Sequence, residues 1–147
     1  MSRYEVAQLN IAAMKASYES PVMADFVANL DRIHALAEDA PGFVWRMKSG
    51  EEGETTRPME PLTLVNITVW RDVETLSEFT YRTAHAEIVR RRGEWFERME
   101  QAYYVLWWVP KGHRPGVDEA LDRLELLRAN GPTPAAFTFR RTFLPPE

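Results

Sequence analysis

The chain has no cysteine among its 147 residues. That excludes disulfides, thiolate nucleophiles, thiolate-held zinc and iron–sulfur clusters, and it fits a reducing cytoplasm. Long apolar runs are missing too. The longest strongly apolar stretch, Tyr103 to Pro110, is far below the roughly 20 residues that a membrane span needs. Met1 to Lys15 carries Arg3 and Glu5 where a signal peptide would have an unbroken apolar run, so neither export nor a membrane partner is expected. Positive charge is not in excess: the formal net charge is −4, and the short run Arg90 to Arg92 reads as a solvated helix face. A nucleic-acid partner is therefore not expected, because backbone phosphates reward a basic surface. No glycine-rich phosphate cradle supports a nucleotide or flavin, and no serine stands in a nucleophile elbow. His34 and His113 stand outside any ligand-like spacing with His85, and no paired acids accompany them, so no local metal motif is present.

What remains is an ordinary globular composition, 45% hydrophobic and 27% charged. At this length one domain over residues 1–147 can bury roughly 70% of its unfolded surface without a staple. Tyr4 to Ile11 reads as a strand. Ser20 followed by Pro21 reads as an N-cap and first helical position, and Met23, Phe26, Val27, Leu30, Ile33 and Leu36 keep a helical period until Ala40, Pro41 and Gly42. Gly42 to Met47 is a second strand. Lys48 to Pro61 is a polar excursion in which Glu51, Glu52 and Glu54 favour solubility. Leu62 to Trp70 is a third strand with apolar residues on both faces. Asp72 caps a second helix that runs towards Gly93. Tyr103 to Val109 is a fourth strand, Asp118 to Ala129 a third helix, and Ala136 to Phe143 a last strand.

The order β-α-β-β-α-β is the ferredoxin-like split βαβ plan, an α+β fold with an antiparallel sheet, helices on one face, and an extra C-terminal helix and strand. Apolar and aromatic residues point both ways along the second, third and fourth strands, so the second face needs cover. A second copy of the chain is the simplest cover, which predicts a homodimer of the α/β-barrel kind. Exchange of the C-terminal element between subunits would add to that contact.

Polar residues within this pattern mark a candidate site. Tyr81 and His85 stand four apart on the second helix, one turn apart on one face, and suit hydrogen bonding to an oxyanion and proton transfer near neutral pH. A histidine there can equally serve a helix–sheet contact. Asn10 and Asn66 place amides on a covered sheet face, where each needs a partner or costs roughly 1 to 3 kcal/mol. Trp45, Trp70 and Trp107 or Trp108 can wall a pocket for a flat aromatic or polyketide-like molecule, or fill a dimer core. Trp107 and Trp108 face opposite ways.

Several segments resemble the DUF3291 family of bacterial proteins: Ala7 to Ile11, Pro41 to Arg46, Val65-Asn66 through Val69-Trp70, Phe79 to His85, Trp107 to Pro110 with Gly112 to Pro115, and Gly131 to Phe139. More distantly the layout is similar to the dimeric α/β-barrel superfamily, which holds antibiotic-biosynthesis monooxygenases, chlorite-dismutase-like haem proteins and haem-degrading enzymes. In its small monooxygenases a strand ends in a tryptophan and a helix then carries a histidine, as Trp70 and His85 do. Asn10 matches the strand-one asparagine of the haem-degrading members. The chain departs from those members in having no tryptophan between Trp70 and Trp95, which argues against haem-degrading chemistry. The resemblance implies an enzyme acting on a small hydrophobic molecule, either a monooxygenase needing no cofactor or a cyclase or isomerase, with His85, Tyr81, Asn10 and Asn66 as catalytic residues. One alternative is a haem protein with His85 as axial ligand. The other is a dimer that binds a small molecule or partner without catalysis.

Overall fold

The computed structural model describes residues 3–48, 62–82 and 85–146, with the His85 side chain outside the described residues. In chain order the elements are β1 (Tyr4–Ala13), α1 (Ala24–Asp39), β2 (Phe43–Arg46), β3 (Thr63–Trp70), α2 (Val73–Arg82), α3 (His85–Arg90), α4 (Arg92–Trp95), β4 (Tyr104–Pro110) and α5 (Val117–Asn130). The strands form one sheet in the order β2-β3-β1-β4 with antiparallel neighbours, the ferredoxin-like arrangement. The polar excursion lies, after Lys48, outside the described residues.

The helix starts follow their caps. Ser20 Oγ accepts from the Val22 amide at 3.4 Å, and Pro21 opens a single 3-10 turn that leads into α1. Asp72 Oδ1 accepts from the Thr75 amide at 2.8 Å. Burial pushes the Asp72 carboxyl up, but the hydrogen bonds from Thr75 and Arg71 outweigh it and hold the group below its ordinary value. The second helix expected from sequence is present as three described pieces, α2, α3 and α4.

The pleat divides the sheet between two cores. Ala7, Leu9, Ile67, Val69, Val105, Trp107 and Val109 pack against Val117, Ala120, Leu124 and Leu127 of α5. Val6, Trp70 and Leu106 point the other way, towards Ala37 of α1 and Leu76 and Phe79 of α2. The two ferredoxin-like helices thus share one face, and the appended helix lies on the other, where it covers β4 and β1 within the same chain.

The last strand expected over Ala136 to Phe143 does not form. Phe137 makes one bridge to the edge of β4, exchanging two backbone hydrogen bonds of 2.8 Å with Leu106. On either side the chain bonds to itself, Thr133 with Ala136 and Thr138 with Arg141. Backbone groups used up in such tight turns have nothing left to extend a ladder. The bridge still covers the β4 edge, and Trp108 Nε1 donates to the Phe143 carbonyl at 2.9 Å to hold the segment down.

Gly42 joins α1 to β2 with φ at +84°, and a Cβ there would overlap the Thr75 side chain at the start of α2. Gly112 has a similar φ of +89° with open space around it. Gly112→Ala should therefore cost about 1 kcal/mol from the backbone alone. Gly42→Ala should cost clearly more, about 2 to 3 kcal/mol, because the overlap adds to it. Urea unfolding of both variants measures the difference, and equal losses would remove the close approach of β2 to α2.

Candidate functional site

A cavity of about 1230 Å³ opens between the α1–α2 side of the sheet and the helices. Its floor is the inner face of β1 and β3, and α1 and α2 form its roof. Phe96 helps close one end: it follows α4 and bridges to Met14 just beyond β1, while the Glu97 amide donates to Ala13 O at 2.8 Å.

Sheet register makes the floor polar in a regular way. Gln8 stands opposite Thr68, and Asn10 opposite Asn66. Gln8 Nε2 donates to Thr68 Oγ1 at 2.9 Å, and Asn66 Nδ2 donates to Asn10 Oδ1 at 2.8 Å. The Thr68 hydroxyl oxygen also accepts from Trp70 Nε1 at 3.0 Å, which fixes the indole edge-on. Trp70 is 1% exposed, stacked on Phe79 at 5.1 Å and met edge-on by Phe43 at 5.5 Å. Two cross-strand rungs of amide and hydroxyl groups thus stand on an aromatic base, each bonded to its opposite number.

The site residues expected from sequence separate into two groups. Asn10, Asn66, Trp70 and Tyr81 all line this cavity. Tyr81 stands at the mouth, 52% exposed, with its ring 5.3 Å edge-on from Phe139. Partial burial and the nearby Tyr104 and Tyr103 raise its pKa, so the phenol is a hydrogen-bond donor rather than a phenolate. Trp45 and Trp107 do not line the cavity. Strand alternation puts them on the opposite face, where Trp107 is fully buried and donates to Glu119 Oε2 at 3.0 Å, and Arg114 lies 5.7 Å over the Trp45 ring. His85 opens α3, and its side chain lies outside the described residues.

Two residues without a role in the sequence reading stand in the cavity wall. Arg46 is the β2 residue opposite Thr68, so it continues the Gln8–Thr68 rung across the sheet. Its Nε is buried and makes no hydrogen bond among the described residues. The Glu38 carboxylate oxygen Oε1 is 3.8 Å away. His34 of α1 is half-buried beside it. Burial first, then the Arg46 charge, pull the His34 pKa below its ordinary value, so its imidazole is neutral at pH 7. The signal in the sequence was a period-two run of polar residues, Gln8 and Asn10 on one strand, Asn66 and Thr68 on another, with Arg46 on the third.

The residues also bear on cofactors. Among the described residues no three His, Asp or Glu side chains gather to hold a metal ion. His34 is the described imidazole on the wall, and the positive charge of Arg46 beside it opposes an iron bound there, so the described wall does not fit haem at His34. No helix of the described residues is long and apolar enough to cross a membrane.

The sequence pattern described as "Domain of unknown function (DUF3291)" matches residues 5–147. The chain belongs to the DUF3291 family. No curated protein matches it in sequence. Among solved structures, the DUF3291 chain is similar to a protein of unknown function from Nitrosomonas europaea, with 12% identity and a TM-score of 0.49 over 77% of this chain and 94% of that one. It is also similar to a protein from Nitrosomonas europaea called a "putative antibiotic biosynthesis monooxygenase", with 13% identity and a TM-score of 0.47 over 79% of this chain and 97% of that one.

The cavity floor of this DUF3291 chain depends on Thr68, whose oxygen serves two buried donors. Thr68→Val keeps the shape and orphans both, so it should destabilise the protein by about 2 kcal/mol or more, while Thr68→Ser should cost about 1 kcal/mol. Chemical denaturation of the two variants checks this, and a harmless Thr68→Val would mean that the rung carries no weight.

Proposed function

We propose that the protein is a small-molecule enzyme that holds a flat, hydrophobic, aromatic or polyketide-like substrate in the sheet–helix cavity. The observation that carries this reading is a cavity of about 1230 Å³ with aromatic walls and ordered amides along its floor. Pockets for small molecules combine a mostly apolar lining with a few convergent polar groups in this way. Asn10 and Asn66 satisfy each other with one hydrogen bond and keep further donor and acceptor capacity for a substrate oxygen. In the proposed oxygenase chemistry a ring methylene becomes a carbonyl, and dioxygen ends as that carbonyl oxygen and one water. The methylene supplies all four electrons, so no cofactor is called for. Amide donors on the floor and the Tyr81 phenol at the mouth would stabilise the substrate enolate or phenolate that reacts. In the isomerase variant of the proposal a histidine moves the proton. His34, neutral beside the floor, and His85, at the start of α3, are the two candidates.

The test is binding and oxygen uptake with anthrone-like and naphthol-like compounds, alongside thermal unfolding of variants. Asn66→Ala should weaken binding or turnover about tenfold, the effect of one lost hydrogen bond to a developing charge, with a smaller loss in unfolding temperature. If His34 is the base, activity should hold through neutral pH and fall only on the acid side of the ordinary histidine range, because its folded pKa is lowered and protonation removes the base. A protein that binds none of these compounds would reject the reading, and so would variants that lose stability while ligand affinity and turnover stay unchanged.

We also propose that the chain pairs with a second copy. Because α5 already covers the β1–β4 part of the second sheet face, what is left for a partner is the half-buried patch of Val44, Trp45, Met47 and Val65. Sedimentation equilibrium at low micromolar concentration should give about twice the chain mass of 17.0 kDa, and a strictly monomeric folded species would overturn the pairing.

A further inference from the structure

The described lining of the cavity is basic although the chain is acidic. It includes six cationic side chains, Lys15, Arg46, Lys48, Arg90, Arg92 and Arg98, against the single carboxylate of Glu97, in a protein of net charge −4. Five of these sit on the helices, loops and strand ends around the opening. Arg46 is different, because it is the last residue of the edge strand β2 and is paired in register with the floor residue Thr68. Its side chain is 18% exposed, and its buried Nε hydrogen has no acceptor among the described residues. Glu38 does not fill that place: its side chain is 42% exposed and its carboxylate oxygen is 3.8 Å away, beyond hydrogen-bond reach. His34 beside it adds no second positive charge to the wall. A guanidinium presents its donors as a rigid fork suited to a planar oxyanion, and a fork with a buried donor left unbonded is an unfinished pair.

Resting on the reading of the cavity as a small-molecule site, we propose that its ligand carries an anionic head, a carboxylate or a comparable oxyanion, bound by Arg46 at the floor while its apolar body lies along Trp70, Leu30 and Phe139. The neighbouring rungs complete the cradle, because Thr68 and the Asn10–Asn66 pair stand along the same face. The rim cations draw the anion inwards, since a cleft lined by one sign of charge with low-dielectric walls concentrates ions of the other sign.

Two fluorescent probes with one aromatic skeleton test this on the full chain. 1-Anilinonaphthalene-8-sulfonate carries the anion, and N-phenyl-1-naphthylamine lacks it. Wild-type protein should bind the sulfonate about tenfold more tightly than the neutral amine, the worth of one charge-assisted hydrogen bond. Each probe should displace the other, and the preference should shrink as salt is added. Arg46→Met should abolish the preference while leaving affinity for the neutral amine in place, and Arg46→Lys should keep part of it. Binding of the neutral amine with no preference for the sulfonate, or a preference that survives in Arg46→Met, would overturn the anion site and leave the cavity reading standing. Binding of neither probe would overturn both. Should Arg46→Met fail to fold, the wild-type preference decides: if it is indifferent to salt, the proposal falls.

Discussion

Strand β1 lies between β3 and β4, and the pleat commits each of its inward side chains to one of two cores. Ala7 and Leu9 are held against α5, while Val6, Gln8 and Asn10 face α1, α2 and the cavity. A slip of β1 by one residue against β3 would carry Ala7 and Leu9 to the cavity floor and drive Gln8 and Asn10 into the packed α5 core. Both faces thus penalise the same error. The register is held by hydrophobic cost on one side and by polar pairing on the other, and the position of every floor residue follows from it.

The floor shows how a polar face can be stable under a roof. Gln8 with Thr68, and Asn10 with Asn66, are neutral pairs that answer each other across the strands, so their burial costs little net free energy. Thr68 serves Trp70 as well, which ties the aromatic base to the polar ladder and leaves the indole no freedom to turn. Arg46 breaks the pattern at the next strand over. Its rung mate Thr68 already accepts from Gln8 and Trp70, and among the described residues no acceptor comes within hydrogen-bond reach of Nε, with Glu38 Oε1 at 3.8 Å. Folding therefore leaves one strong donor uncommitted beside a row of committed ones. That asymmetry would give the cavity a direction under the proposed reading, with an apolar body along the aromatics and a charged end at Arg46.

Much of this architecture was legible in the residues, and the exceptions have physical causes. The β-α-β-β-α-β order, the Ser20 and Asp72 caps and the amides on a covered face follow from periodicities and cap chemistry that act over a few residues. The position of α5 was not legible, because an amphipathic helix reports that it has a buried face and not which face of the sheet it covers. The segment from Ala136 to Phe143 alternates like a strand, yet alternation does not reveal that Thr138 and Arg141 will bond to each other. Trp45 and Trp107 failed as pocket walls for the same reason that Trp70 belongs to the cavity: alternation sorts aromatics correctly only once one residue of the sheet has been assigned to a side. His34 and Arg46 are 12 positions apart in sequence and each looks like a surface residue alone; only the pairing of β2 with β3 and the seating of α1 place both against the cavity.

The charge of the cavity follows from the same packing. An apolar roof and an aromatic base lower the local dielectric, and this strengthens any interaction Arg46 makes while raising the cost of leaving it unmade. Glu38 relieves that cost only in part, because its side chain is 42% exposed and its carboxylate stays 3.8 Å from Nε, where solvent screens the attraction. The hydrophobic lining and the unbonded Arg46 Nε are thus two parts of one proposed preference, because an apolar surface that took up an aromatic body would also make its anionic end worth binding.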